Sequence, residues 1–281
     1  MDPGAPPSRG TWDPWPMSET DDVRAARLRA AGLPTADLSP VLAEQGHPLV
    51  FATVSGAHLY GFPSADSDVD LRGAHLLPVA DLIGLREGDE TRSVMGDRDG
   101  IEMDLVTHDL RKFARLMLRR NGYVLEQLLS PLVVGTSDTH AELAALAPGV
   151  VTRHHAHHYR GFASTQWRLF GGRPELKPLL YTLRVLLTGI HLMRSGEVEA
   201  HLPTLLDLVP APGYVPELIA AKAVAEHGAL DGLVDAERLR ADVEALHGEL
   251  DAAQAASRLP EETGAGVYDA LHELVVRARV A

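Results

Sequence analysis

Residues 54–73 read VSGAHLYGFPSADSDVDLRG. The stretch starts at the end of an apolar, β-branched run, PLVFATVS at 48–55, which has the length and composition of a buried strand. A segment with glycines at 56 and 61 follows. Then comes SDVDLRGAHLL at 67–77, which alternates in character and reads as a second strand. On a strand, residues two apart share a face, so Asp68 and Asp70 point one way while Val69 and Leu71 point the other. Two carboxylates on one face repel each other unless a cation lies between them. Mg²⁺ or Mn²⁺ suits such a pair, because hard cations take carboxylate oxygens and complete their shell with water and phosphate oxygens. Gly56 lets the backbone approach a phosphate closely, and exposed amides at such a turn bind anions.

An Asp-x-Asp pair alone is common on solvent faces and in Asx turns, so the weight rests on its surroundings. Residues 101–107, IEMDLVT, alternate again and read as a third strand. Asp104 on it is the best candidate for a third metal-binding carboxylate, with Glu102, its neighbour on the same face, in reserve. Three such acids suit a two-metal arrangement, in which one ion activates an attacking hydroxyl and the other holds a triphosphate.

The 281-residue chain is long enough for one large domain or two modest ones. Its contents, 45% hydrophobic and 23% charged, are those of a globular protein. It has no cysteine, which excludes disulfides, thiolate metal sites and cysteine nucleophiles. The formal net charge of -13 disfavours long nucleic-acid backbones unless basic residues cluster locally. No run of eighteen apolar residues suggests a membrane span, and the N-terminus lacks a secretory signal pattern. Together these favour a cytoplasmic protein without a membrane partner. Residues 1–18 are rich in Pro, Gly and Ser and read as a disordered tail, and Met17 is an alternative start.

After residue 108 the pattern turns helical. DLRKFARLMLRR opens on Asp109 as a cap, and 122–130, 138–147, 151–171 and 175–194 follow as helices. Residues 214–280 are rich in Ala, Leu, Glu and Arg and read as helical throughout. The expected fold class is α+β: a small mixed sheet with flanking helices over 19–137, then a helical domain over 138–281.

The motif Gly56, Tyr60-Gly61, Ser67-Asp68-x-Asp70-x-Arg72-Gly73 resembles that of polymerase-β-like nucleotidyltransferases. The likeness is closest to a subgroup of predicted bacterial and phage members linked to RNA repair. It continues through Asp104, Asp109-Leu110-Arg111-Lys112, Leu125-Glu126 and Ser130-Pro131 to Lys177, Tyr181 and Arg184, and so covers about 48–210. The resemblance implies that Asp68, Asp70 and Asp104 are catalytic and metal-binding, and that Ser55, Gly56 and Ala57 lie at the nucleotide. It departs at Ala57, where related sequences carry a serine whose hydroxyl helps hold the triphosphate. Losing that bond costs on the order of 1 kcal/mol if it is neutral.

Lys177, Tyr181 and Arg184 fall at i, i+4 and i+7, on one helix face. The resemblance implies that this face binds nucleotide, with Lys177 and Arg184 meeting the triphosphate; the alternative is a solvated basic stripe with Tyr181 partly packed. Arg72 either orients the acids or a phosphate, or forms a salt bridge with Asp70. Glu126 is either an acid near the site or a polar position on a helix surface. His58 either meets phosphate or base, or packs under the loop. The HHAHH run at 154–158 reads as partly exposed helix residues, since no third metal ligand is in reach. The expected function is metal-dependent transfer of a nucleoside monophosphate from an NTP to a hydroxyl of unknown identity, on RNA, protein or a small molecule, with release of pyrophosphate. The alternative is a nucleotide-binding regulatory module that has lost turnover.

Overall fold

A computed structural model describes residues 21–33, 38–85, 88–98, 101–224, 232 and 234–280. The expected tail at 1–18 lies outside the described residues. In chain order the elements are α1 (Asp21–Ala30), α2 (Ser39–Ala43), β1 (Leu49–Val54), α3 (Gly56–Tyr60), β2 (Val69–His75), α4 (Val79–Ile83), β3 (Thr91–Arg98) and β4 (Ile101–Asp109). There follow α5 (Leu110–Leu118), α6 (Gly122–Leu128), β5 (Val133–Gly135), α7 (Asp138–Val150), α8 (Ala156–Gly172) and α9 (Leu176–Ser195). The chain closes with α10 (Leu202–Leu208), α11 (Val215–Val224), α12 (Ala236–Ala256) and α13 (Val267–Val280).

The five strands form one mixed sheet in the order β3-β4-β2-β1-β5. β2 runs parallel to β4 and antiparallel to β1, while β3 pairs antiparallel with β4. This is the expected α+β arrangement, with two strands that the sequence pattern did not reveal. β3 is an edge strand whose Val94 and Met95 are exposed, so it carries no buried periodicity. β5 is three residues long, too short for a periodic signal. β1 is buried from Val50 to Val54, because the sheet and helices cover both its faces.

The helix boundaries follow local capping. The Asp109 side chain accepts from the Arg111 amide to open α5, and Asn121 and Ser137 open α6 and α7 in the same way. α9 is apolar nearly all round, and its residues from Leu179 to Met193 are buried except at Tyr181. A helix of that kind belongs at the centre of a bundle, and α8, α10, α11 and α12 pack around it. The C-terminal third is not continuous helix. α12 stops at Ala256, and the Gly- and Pro-containing stretch before Val267 separates it from α13. α13 folds back onto α5 and α7, where Arg279 donates to both oxygens of Asp109 at 2.7 and 2.6 Å. Buried side chains of the sheet half and of the helical half belong to one hydrophobic cluster.

Candidate active site

The parallel pairing of β2 with β4 sets Asp70 directly opposite Asp104. Arg72, two residues on and on the same face as Asp70, bridges them. Its Nη2 donates to Asp70 Oδ1 at 2.6 Å and to Asp104 Oδ2 at 3.0 Å. Its Nη1 donates to the carbonyls of Leu71 and Asp104, and its Nε to the Tyr123 hydroxyl. Burial pushes the Asp70 carboxyl above its ordinary range; Arg72 opposes this and Asp104 reinforces it. Asp104 Oδ1 is buried and accepts no hydrogen bond from a described residue.

Asp68 stands one residue before β2 and is exposed, so the strand-face argument applies to Asp70 and Arg72 but not to Asp68. The turn Ser64–Ser67 delivers it instead, with the Ser67 amide donating to the Ser64 carbonyl. Asp68 and Lys177 both lie close enough to act on Asp70, the first raising its pKa and the second lowering it. Asp70 and Asp104 thus stand side by side in the sheet, with Asp68 and Lys177 near enough to act on Asp70.

Gly56 opens α3 with φ +62, a conformation that side-chain-bearing residues rarely adopt. A β-carbon there would overlap Asp70 Oδ2 and lie 2.8 Å from Asp70 Cγ. The Ser55 amide donates to the Asp70 carbonyl at 2.8 Å. The Ser55 hydroxyl is buried without a partner among the described residues, and Ala57 is buried beside it. The glycine loop is therefore seated directly on the Asp70 carboxylate.

The face formed by Lys177, Tyr181 and Arg184 turns from solvent into the core along α9. Lys177 is exposed. Tyr181 is half-buried and packs edge-on to Tyr60 and Phe62, with ring centroids 5.4 and 5.6 Å away. Arg184 is 2% exposed, 3.0 Å from Glu126 Oε2, with its guanidinium 3.7 Å above the Tyr60 ring. Burial opposes its charge, yet Glu126, Tyr60 and Tyr181 together outweigh this and its pKa ends raised. This placement differs from the phosphate contact expected of Arg184, because α9 is enclosed beyond its first turn. Glu126 is a core acid paired with that arginine rather than a surface residue. The pair supports Tyr60, the last residue of α3, from below.

His58 is buried at the base of the loop, with Nδ1 3.1 Å from the Ala31 carbonyl. The HHAHH run is split by a 3-10 turn at Arg153–His155. His155 is buried, His154 stacks on His157, and His158 packs against Tyr159 and Phe162. Among the described residues no group of three or more His, Asp or Glu stands ready to hold a metal. A cleft of about 490 Å³ opens beside Asp68, lined by His58, Ser64, Asp66, Asp97, Ile101 and Glu102 among others. Tyr123, whose hydroxyl accepts from Arg72, and Lys222, whose Nζ donates to Ser64 Oγ in the cleft wall at 2.9 Å, escape the sequence reading. The signal for Lys222 is a lone lysine in the otherwise apolar run LIAAKAV at 218–224.

Residues 34–277 match the model of the RNA repair pathway DNA polymerase beta family. The match takes in the C-terminal helices, which the motif resemblance over 48–210 leaves out. An uncharacterized protein of Methanocaldococcus jannaschii is 32% identical over 54% of this chain, and the alignment spans 63% of that protein, less than two thirds of its length. An uncharacterized protein of Bacillus subtilis, YcgL, is 28% identical over 65% of this chain and 71% of its own. A solved nucleotidyltransferase-like protein from Exiguobacterium sibiricum aligns over 92% of this chain and 81% of its own, with 12% identity and a TM-score of 0.30.

Proposed function

We propose that this chain, which belongs to the RNA repair pathway DNA polymerase beta family, is a polymerase-β-type nucleotidyltransferase that moves a nucleoside monophosphate from an NTP to a hydroxyl acceptor, releasing pyrophosphate. The observation that carries this reading is the in-register pair Asp70 and Asp104 on parallel strands, with the Gly56 loop seated on Asp70. In this reading Ser55, Gly56 and Ala57 lie along the triphosphate, and Lys177 meets its negative charge from the exposed start of α9. Tyr181 acts by packing under the loop. Arg184 acts through Tyr60, not at the phosphate.

The donor set fits a divalent cation in kind. All three acids offer hard oxygen donors, and the buried Oδ1 of Asp104 lacks a partner among the described residues. Members of this superfamily typically use divalent metals, and Asp68, Asp70 and Asp104 would hold Mg²⁺ or Mn²⁺ here. Such an ion, when bound, neutralises phosphate charge and makes a hydroxyl a better nucleophile. Arg72 keeps Asp70 and Asp104 aligned by donating to both, and the Asp104 carboxylate accepts the proton of the acceptor hydroxyl. We assign the nucleotide chemistry to residues 19–137 and a supporting role to the helices of 138–281, in a protein that works in the cytoplasm. No helix among the described residues is long and apolar enough to cross a membrane.

Incubation with labelled NTPs, Mg²⁺ or Mn²⁺ and a panel of RNA, protein and small-molecule acceptors tests the reading. Label transfer abolished by Asp70→Asn and Asp104→Asn supports it. Absence of transfer, together with NTP binding that ignores both substitutions, overturns it.

A second reading, a nucleotide-binding regulatory module without turnover, draws on two observations. Ala57 lacks the hydroxyl of related sequences, and Arg72 already occupies the space between two of the three acids. Tight NTP binding without pyrophosphate release, and turnover appearing on Ala57→Ser, would favour it.

A further inference from the structure

We propose that Lys222, in the C-terminal helical part, is a positioning residue for Asp68, acting through the hydroxyls of Ser64 and Ser67. The inference rests on the reading of Asp68 as a metal-binding carboxylate.

Lys222 is 0% exposed. An ammonium removed from water is costly unless its hydrogens are taken up by acceptors. Its Nζ donates to Ser64 Oγ at 2.9 Å, across a sequence separation of 158 residues. A lysine ammonium carries three donors and no acceptor, so Ser64 Oγ must be the acceptor in that bond. Ser64 Oγ and Ser67 Oγ lie 2.9 Å apart and share a hydrogen bond in which either can donate. Ser67 Oγ also accepts from the Ser64 amide at 2.9 Å, and the Ser67 amide donates to the Ser64 carbonyl at 3.1 Å. The lysine therefore anchors a short chain of hydroxyls that closes the turn.

The next residue is Asp68. Because it precedes β2, no strand hydrogen bond fixes it as the β2–β4 ladder fixes Asp70. A turn with polar side chains has several conformations of similar energy, and a buried charge on one hydroxyl selects among them. The contact makes a helix far along the chain part of the catalytic apparatus.

The test uses the full-length protein with Mn²⁺ alone as probe. Calorimetry measures its binding, thermal unfolding reports stability, and amide exchange reports on residues 65–68. Lys222→Met should weaken Mn²⁺ binding about 10-fold, the size typical of lost support behind a metal ligand, and should accelerate exchange at Ser67 and Asp68. Ser67→Ala leaves the lysine in place and should weaken binding in the same direction. It stands in if Lys222→Met does not fold. Asp68→Asn is the reference. If it weakens Mn²⁺ binding while folded Lys222→Met and Ser67→Ala bind as the unaltered protein does, the positioning role is overturned. If Asp68→Asn leaves binding unchanged, the metal reading of Asp68 fails instead, and exchange alone decides: unchanged protection at Ser67 and Asp68 in the variants overturns the positioning role.

Discussion

Gly56 and Asp70 are in contact so close that no side chain fits between them: a β-carbon at 56 would overlap Asp70 Oδ2. The glycine also adopts φ +62. Gly56→Ala must therefore displace either the loop or the carboxylate, at a cost of about 1–3 kcal/mol in backbone strain alone. Nucleotide and Mn²⁺ binding should both fall, and they should fall together, since one contact serves both. Parallel titrations of ATP and Mn²⁺ check this. Loss of one with the other intact would show that loop and acid act separately.

Arg72 neutralises Asp70 and Asp104 at 2.6 and 3.0 Å. Arg72→Gln leaves two neighbouring carboxylates without that charge. The variant should unfold at a lower temperature than the unaltered protein without metal. It should also gain more from saturating Mn²⁺, because a ligand that binds only the folded state stabilises it by mass action. Melting curves with and without Mn²⁺ measure the difference, and an equal gain in both proteins would contradict a cation site at these acids.

Glu126 and Arg184 are buried partners with side-chain exposures of 1% and 2%. Removing one leaves a buried charge alone, so Glu126→Leu or Arg184→Met should cost about 3–5 kcal/mol. The double variant Glu126→Leu/Arg184→Met should recover much of that loss, since an apolar pair of similar size replaces both charges. Urea unfolding of the four proteins gives the coupling. If Arg184 instead served the triphosphate directly, Arg184→Met would lower ATP affinity with little change in stability.

Burial holds His75 and His155 down to about 4, whereas in an unfolded chain they titrate near ~6.5. Above that value both states are uncharged and stability is intact. As pH falls from about 6.5 toward about 4 the unfolded chain takes up protons that the folded protein refuses, so stability declines across that window and the decline ends below it. Unfolding free energies at pH 7.5, 5.5 and 4.5 measure the slope. His75→Gln should flatten it, and an unchanged slope would mean that His75 titrates alike in both states.

Asp70 shows the opposite shift. Its raised carboxyl pKa means that protons compete with a cation at a higher pH than at an ordinary aspartate. Mn²⁺ affinity should begin to fall on acidification above the usual carboxylate value of 3.8. Asp104→Asn should move that onset down, because it removes a neighbouring negative charge.

Strands β1, β2 and β4 were legible in the sequence because each carries a burial pattern of its own: a continuous apolar run in β1, alternation in the other two. Gly56 was legible as a point of close backbone approach, expected toward a phosphate and made here toward the Asp70 carboxylate. The pairing of Asp70 with an acid on a later strand was legible too. These are local properties: period, composition and the missing β-carbon act within a few residues. β3 and β5 carry no such signal, one exposed and one too short. Arg184 and Lys177 look alike on a helical wheel, and only the packing of α8, α10, α11 and α12 around α9 decides that one is core and the other exposed. The same holds for Glu126, which no spacing distinguishes from a surface acid until Arg184 is brought against it. Lys222 reads as one cation in an apolar helix. Its meaning depends on a contact with Ser64 that only the closed fold creates. The sequence by itself determined which residues could do the chemistry, because residue type and local periodicity are written in it. The tertiary structure alone decided which of them stand at the site and which brace it, because burial and charge pairing are set by contacts between distant parts of the chain.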